Sequence, residues 1–406
     1  MKRATSPTLK SVRAGQLCSG CGLCASVSNG AVEMQVEPPG YARPRQLRPL
    51  DDHRESLIAY ACPGAVVEAW AADGVVDPYW GPWRLVATGY AADARLRFQA
   101  SSGGALSALL VHALRVGLVD RVLHIAADPV NPTRNVEAVS KTFEDVLARS
   151  GSRYSSSSPL VEIESQLAAG GRFAFVGKPC DVSALRRLAH RDPRVERHVP
   201  IALSFFCAGV PSHAAAGRIL TALDVKSQDV ASFRYRGEGW PGNAKATLLN
   251  GGFAQMSYAQ SWGGILSKEV QFRCKICPDA VGGVADVACA DAWYGDDEGY
   301  PTFEEVEGRS LIMARTAVGE RLVASAVEAG DLVVEPLGIE QVARMQPGQA
   351  RRKRLVRART WALAASLQPT PIMRGNFVNE AARRAGFVEQ LRSFVGALRR
   401  IVVGRR

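Results

Sequence analysis

Between residues 85 and 336, short runs of apolar residues alternate with stretches in which apolar side chains recur every three or four positions. RLVATGY, DRVLHIA, FAFVG and PIALSFF have the length of strands, and ALSALLVHALRVG, KTFEDVLAR and DVSALRRLA carry a helical period. This alternation predicts an α/β core with a mostly parallel sheet and helical crossovers. RYRGEGWPG, KATLLNGGFAQMSY and the 274–293 region read as β-rich additions around a site. Farther on, RRKRLVRARTWALAASL and FVEQLRSFVGALRRIVV mix Arg with Leu, Val, Phe and Trp at near-helical spacing, which predicts helices with a basic face. The expected organisation is an N-terminal module over 1–84, ending in the Pro/Trp-rich VVDPYWGPWRL, a catalytic core over 85–336, and a basic helical tail over 337–406.

With 406 residues, 47% of them hydrophobic, the chain is neither disordered nor a small disulfide scaffold. No stretch approaches the roughly 18 uninterrupted apolar residues of a membrane span. The opening MKRATSPTLKSVRAG lacks the apolar segment of an export signal, so a soluble, cytoplasmic chain is expected. The formal charge of +11 is local: residues 340–406 carry +12 and the remainder is near neutral. The tail reads as a solvated helical face closing the domain, or as a docking surface for an acidic electron carrier, a partner subunit or a membrane. A nucleic-acid partner is not favoured, because the tail holds no zinc-finger or RNP pattern.

Nine cysteines carry the chemistry. Cys18, Cys21 and Cys24 of CSGCGLC have the C-x2-C-x2-C spacing in which a glycine-rich loop wraps an iron–sulfur cubane. The fourth ligand is assigned to Cys62 of Cys62-Pro63-Gly64, after 37 intervening residues. Four thiolates also satisfy tetrahedral zinc, although zinc sites use paired knuckles and three cysteines in one run crowd a single ion. Cys180 and Cys207 follow FAFVG and ALSFF, at strand ends where α/β sheets collect ligands. With the knuckle Cys274-x2-Cys277-Pro they make four thiolates, enough for a second cluster, or four small buried residues. Cys289, inside VADVACADAW, reads as core.

In order along the chain, CSGCGLC with Cys62-Pro63, ASSGGALSALL, VGKPCDVSALR, FFCAGVPS, RYRGEGWPGN and CKICPDAVGGVADVACADAW resemble the flavin-dependent iron–sulfur family named after the beta subunit of coenzyme F420 hydrogenase/dehydrogenase. Hydroxymethyl chlorophyll a reductase and ferredoxin-dependent divinyl chlorophyllide reductase belong to the same family. The resemblance covers about residues 15–345 and implies a ferredoxin-like N-terminal cluster module, an FAD-binding core and two [4Fe–4S] clusters. The chain departs from the family at Ala290-Asp291, where Gly-Asp is common, and at the additional Cys289, so no substrate is carried over.

No G-x-G-x-x-G or Walker loop is present, so the flavin needs another cradle. Ser101, Ser102, Gly103 and Gly104 open a helix whose N-terminus would hold the pyrophosphate or the ring carbonyls, unless the Ser is simply a cap. Gly177, Lys178 and Pro179 place an ammonium beside Cys180, where it would stabilise the anionic reduced flavin; a surface lysine is the alternative. The resemblance also implies FAD contacts from Arg153, Tyr154 and Ser157, where the segment 152–158 otherwise reads as a flexible polar loop; Arg236, Trp240, Pro241 and Gly242 read as lining the substrate side, or Trp-Pro-Gly as a turn packed on the core. There is no hydrolytic histidine motif and no G-x-S-x-G elbow. The resulting expectation is electron flow between a one-electron donor such as a ferredoxin and a small organic substrate, through clusters and FAD. The alternatives are a coenzyme F420-oxidising or F420-reducing subunit of a larger complex, and a zinc-stapled binding protein with a nucleic-acid-contacting tail.

Overall fold

The computed structural model describes residues 2–3, 5–70, 74–295, 302 and 304–403. The last three residues of the basic tail lie outside that range. Eight strands form the central sheet: β1 Leu85–Ala91, β2 Arg121–Ala127, β3 Asn135–Ser140, β4 Phe173–Val176, β5 Ile201–Phe205, β6 Val287–Asp291, β7 Ser310–Ala314 and β8 Leu332–Pro336. Their order is β3-β2-β4-β5-β6-β7-β1-β8.

The sheet is mixed rather than mostly parallel. The pairs β2/β4, β4/β5 and β5/β6 are parallel, while β3/β2, β6/β7, β7/β1 and β8/β1 are antiparallel. The reason is connection length at one edge, where β2 and β3 are joined by only seven residues, 128–134, too few for a crossover helix. At the other end β7 lies between β6 and β1, antiparallel to both.

Residues alternate between two cores along the central strands. Val122, Ala174, Ile201 and Leu203 face one core with the helices Ala105–Arg115 and Ala317–Glu328. Leu123, Phe173, Phe175 and Ala202 face the other, with the helices Pro179–Ala189 and Ile163–Ala168. Cys21, Leu23 and Ala61 pack into this second core, which seats the first cysteine segment on that face of the sheet. A separate three-stranded antiparallel sheet, Val230–Arg234, Ala244–Leu248 and Phe253–Met256, accounts for part of the expected β-rich region.

The tail forms the helices Pro347–Arg354, Val356–Ala365 and Phe387–Val402. Its apolar residues Ala362, Leu363, Ala397 and Ile401 bury against Val12, Leu17, Cys18, Phe272 and Ile276. The tail thus closes over the N-terminal segment and the CKIC knuckle. Among the described residues no helix is long and apolar enough to cross a membrane.

Candidate active site and cysteine groups

Cys18, Cys21, Cys24 and Cys62 line one small pocket, with Leu9, Met34 and Ile58 among its walls. The turn that carries them requires glycine: Gly22 has φ +88°, and a Cβ there would stand 2.9 Å from the Val161 nitrogen and 3.0 Å from the Ser158 carbonyl. The Gly20 N–H donates to Cys18 Sγ at 3.4 Å, as expected for a loop that wraps sulfur. Burial raises the pKa of all four thiols, with Cys62 pushed up to about 11. In the protein alone burial thus favours the neutral thiols. Among the described residues, no three His, Cys, Asp or Glu side chains converge as ligands of a single metal ion.

The second group surrounds the carboxyl ends of β4 and β5. Burial raises Cys180, and pushes Cys207 to about 12, with Cys274 adding to both. The Cys277 thiol donates to the Asp279 carbonyl at 3.0 Å, and the Cys207 N–H donates to the Ala280 carbonyl at 2.8 Å. The tail grips this region from outside. Arg352 donates to the carbonyls of Cys207, at 3.0 Å, and of Ala208. Lys353 donates to Pro278, and Arg359 to the Lys275 carbonyl at 2.7 Å. Three of the tail's basic side chains therefore hold cysteine loops rather than forming a solvated face.

Beside Cys207, a cavity of about 300 Å3 lies at the carboxyl edge of the parallel strands, the position where such sheets bind ligands. Ser101, Ser102, Gly104, Tyr154, Ser157, Gly177 and Lys178 all line it, as does Arg153. Gly103 and Pro179 do not reach its wall. Gly103 is needed elsewhere, because a Cβ there would come within 2.7 Å of the Gly89 carbonyl and the Ser310 nitrogen. Helix Ala105–Arg115 is capped by left-handed Gly104, not by a serine side chain. Ser102 instead donates to the Arg309 carbonyl at 2.9 Å, and Ser101 Oγ accepts from the Ser152 N–H. The serines thus tie the turn to the sheet, while Ala105, Leu106 and Ser107 of the helix's first turn line the cavity.

Lys178 is buried and pairs with Asp181 at 2.7 Å, and its ammonium also donates to Ser157 Oγ at 3.3 Å. Burial, the largest single influence, disfavours the ammonium, but Asp181, Cys180 and Cys207 together outweigh it and raise the Lys178 pKa. A fixed cation therefore faces the cavity. Arg153 serves differently: its guanidinium donates to the carbonyls of Pro132, Arg134 and Phe233 and to Asn135, so these donors are committed to the protein.

The cavity wall also holds Arg236 and Asp291, which local motifs did not connect, whereas Trp240, Pro241 and Gly242 of the expected substrate side do not line it. Arg236 forms a two-pronged pair with Asp291 at 2.9 and 3.0 Å, and the Trp240 indole N–H donates to the same carboxylate at 2.7 Å. The Arg236 guanidinium lies 4.5 Å from the Tyr258 ring centre and 5.3 Å from that of Trp293. Tyr258, Trp262, Trp293, His124 and Cys289 also line the cavity, and Gln346 and Gln349 reach it from the tail. Cys289 packs in the core as expected, and also contributes to this wall. A polar side chain at the third helical position after Lys178 was the available signal for Asp181. Nothing local signals the Arg236–Asp291 pair, which spans 55 residues of chain.

By the chemistry of its donors, the cavity suits a polar, planar ligand, and four thiols lining one pocket are the donor set that an iron–sulfur cluster uses. Gln349 Oε1 and Ser155 Oγ are buried without partners at the cavity wall, acceptors suited to ligand N–H or O–H groups. Lys178 and the helix N-terminus suit an anionic or carbonyl-rich ligand edge.

Residues 86–164 match the family model of the coenzyme F420 hydrogenase/dehydrogenase beta subunit N-terminus, and residues 170–339 match that of its C terminus. The chain belongs to this family. It is thus related to oxidoreductase subunits. It is 25% identical over 277 residues to the coenzyme F420 hydrogenase subunit beta of Methanosarcina barkeri, an alignment covering 65% of this chain and 85% of that protein. An uncharacterised protein of Methanocaldococcus jannaschii is 24% identical over 220 residues, covering 50% of this chain and 55% of that one. A chain of the F420-reducing [NiFe] hydrogenase complex of M. barkeri shares the fold with a TM-score of 0.55 at 22% identity, over 71% of this chain and 96% of that chain.

Proposed function

We propose that the protein is a flavin- and iron–sulfur-dependent oxidoreductase that passes electrons between a one-electron donor, such as a ferredoxin, and an organic substrate. The observation that carries this reading is the cavity at the strand ends, where Lys178, a helix N-terminus and Cys207 meet. Iron–sulfur clusters supply single-electron transfer, and FAD supplies the exchange between one-electron and two-electron chemistry. Cys18, Cys21, Cys24 and Cys62 would hold one [4Fe–4S] cluster, and Cys180, Cys207, Cys274 and Cys277 the second. Lys178, kept charged by Asp181, would stabilise negative charge on the reduced ring. The first turn of helix Ala105–Arg115 would receive phosphate or carbonyl oxygens. Tyr258, Trp262 and Trp293 would exclude water and stack a planar group, with Arg236 held by Asp291 between ring and substrate.

A second reading, a beta subunit that oxidises or reduces coenzyme F420 within a larger complex, is favoured by the names of the relatives. For the zinc-stapled alternative, Arg352, Lys353 and Arg359 are engaged with loop carbonyls and so are withdrawn from a nucleic-acid-contacting face.

Anaerobic purification followed by iron, sulfide and flavin quantification tests the proposal. Cys18→Ser or Cys21→Ser should lower iron by about one cluster equivalent and leave FAD bound; equal loss of both cofactors would refute an independent cluster module. Spectroscopic titration with coenzyme F420 separates the two redox readings.

A further inference from the structure

We propose that Arg273 is the shared counter-cation of the two clusters, with its unpartnered Nε–H and Nη1–H donating to their sulfur atoms. This rests on the function proposed above.

Arg273 immediately precedes Cys274 and is only 3% exposed. Its Nη2 donates at 3.0 Å to the carbonyl of Pro63, the residue after Cys62. One side chain therefore spans from the second cysteine group to the first. Its Nε and Nη1 are buried and have no partner. No carboxylate among the described residues pairs with it. A buried guanidinium left in this condition is destabilising. Arg315, similarly buried, lacks a partner only at Nε, because its Nη1 donates to the carbonyls of Trp80 and Pro82 and its Nη2 to that of Val281.

A second contact joins the same two groups. Two residues earlier, Gln271 Nε2 donates to the Ser19 carbonyl at 3.3 Å and to Cys274 Sγ at 3.6 Å, so the segment 271–274 bridges the groups twice. A cubane with four cysteine thiolates is anionic and gains one further negative charge on reduction. A fixed cation between two such anions favours the reduced form of each, and hydrogen bonds to sulfur act in the same direction.

The test compares wild-type protein with R273M and R273K, all purified anaerobically, by iron and sulfide content and by a redox titration followed by electron paramagnetic resonance. R273M should retain iron, and the reduced-to-oxidised ratio at fixed potential should fall about tenfold for both signals, a downward shift of about 59 mV for a one-electron couple. R273K, which keeps the charge, should recover most of the shift. In metal-free protein R273M should melt no earlier than wild type, since it removes an unpaired buried charge. Where R273M does not accumulate, R273Q, which keeps a donor for the Pro63 carbonyl, carries the same expectation. Intact clusters with unshifted potentials overturn the role of Arg273, as does an equal loss of stability in metal-free and loaded R273M. Absence of iron and sulfide from the wild type overturns the cofactor reading itself.

Discussion

Replacing Asp291 with Asn removes one charge from the cavity wall and leaves its partner in place. Arg236 has a side chain 2% exposed, so its guanidinium cannot turn to water. The asparagine also presents an NH2 where an oxygen accepted from the guanidinium or from Trp240. Breaking a buried pair in this way costs about 3–5 kcal/mol. In urea unfolding at neutral pH the midpoint of D291N should fall accordingly with an unchanged slope. R236M should be less damaging, because the Asp291 side chain is 18% exposed and can hydrate. The double variant D291N/R236M removes both charges and should be more stable than the sum of the single effects by about 2 kcal/mol or more, within the range seen for coupled neighbours. A cost below about 1 kcal/mol for D291N, or strict additivity in the double variant, would refute the claim that this pair is desolvated and mutually dependent.

His124 supplies a pH prediction. Burial, aided by Arg149, lowers its pKa to about 4. The folded protein thus keeps it neutral while the unfolded chain protonates near 6.5, and stability should fall as pH drops from about 6.5 to about 4. At about 1.36 kcal/mol per unit the loss is about 3 kcal/mol, and the wild-type advantage over H124Q in thermal melts should shrink by that amount. Gly22→Ala forces a methyl into the Val161 backbone at positive φ, and should cost about 1–3 kcal/mol in urea unfolding while lowering iron content. R352M deletes two charged hydrogen bonds to the Cys207 loop; a stability loss of about 1.5–3 kcal/mol is expected, with up to one cluster equivalent of iron lost and flavin retained. Unchanged iron in R352M would mean that the tail's grip is irrelevant to the second group.

What the sequence disclosed follows from how local each signal is. CSGCGLC, SSGG and GKPC are compact runs at turns and strand ends, so their residues meet wherever the flanking elements are correctly assigned. The continuous apolar runs of β2, β4 and β5 mark the parallel centre of the sheet for the same reason. Sheet direction was not legible, because β1, β7 and β8 are set by pairing between strands more than 200 residues apart. Arg153 sits in the expected segment, yet its donors are claimed by carbonyls from two other parts of the chain. The tail's charge pattern was visible, but its destination was not: a basic helical face looks alike whether it meets water or the carbonyls of a cysteine loop. Arg273 carries a cue only in retrospect, as a cation directly preceding a knuckle cysteine.

The grip of Arg352, Lys353 and Arg359 on the Cys207 and Cys274–Pro278 loops has a consequence for biogenesis. These side chains are translated after every strand of the sheet, so the first cysteine turn and the strand framework can assemble while the second loop still lacks its clasp. Because the same helices also bury Leu17 and Cys18, both cysteine groups are enclosed only when the tail docks, and on the function proposed above cofactor loading would precede that closure.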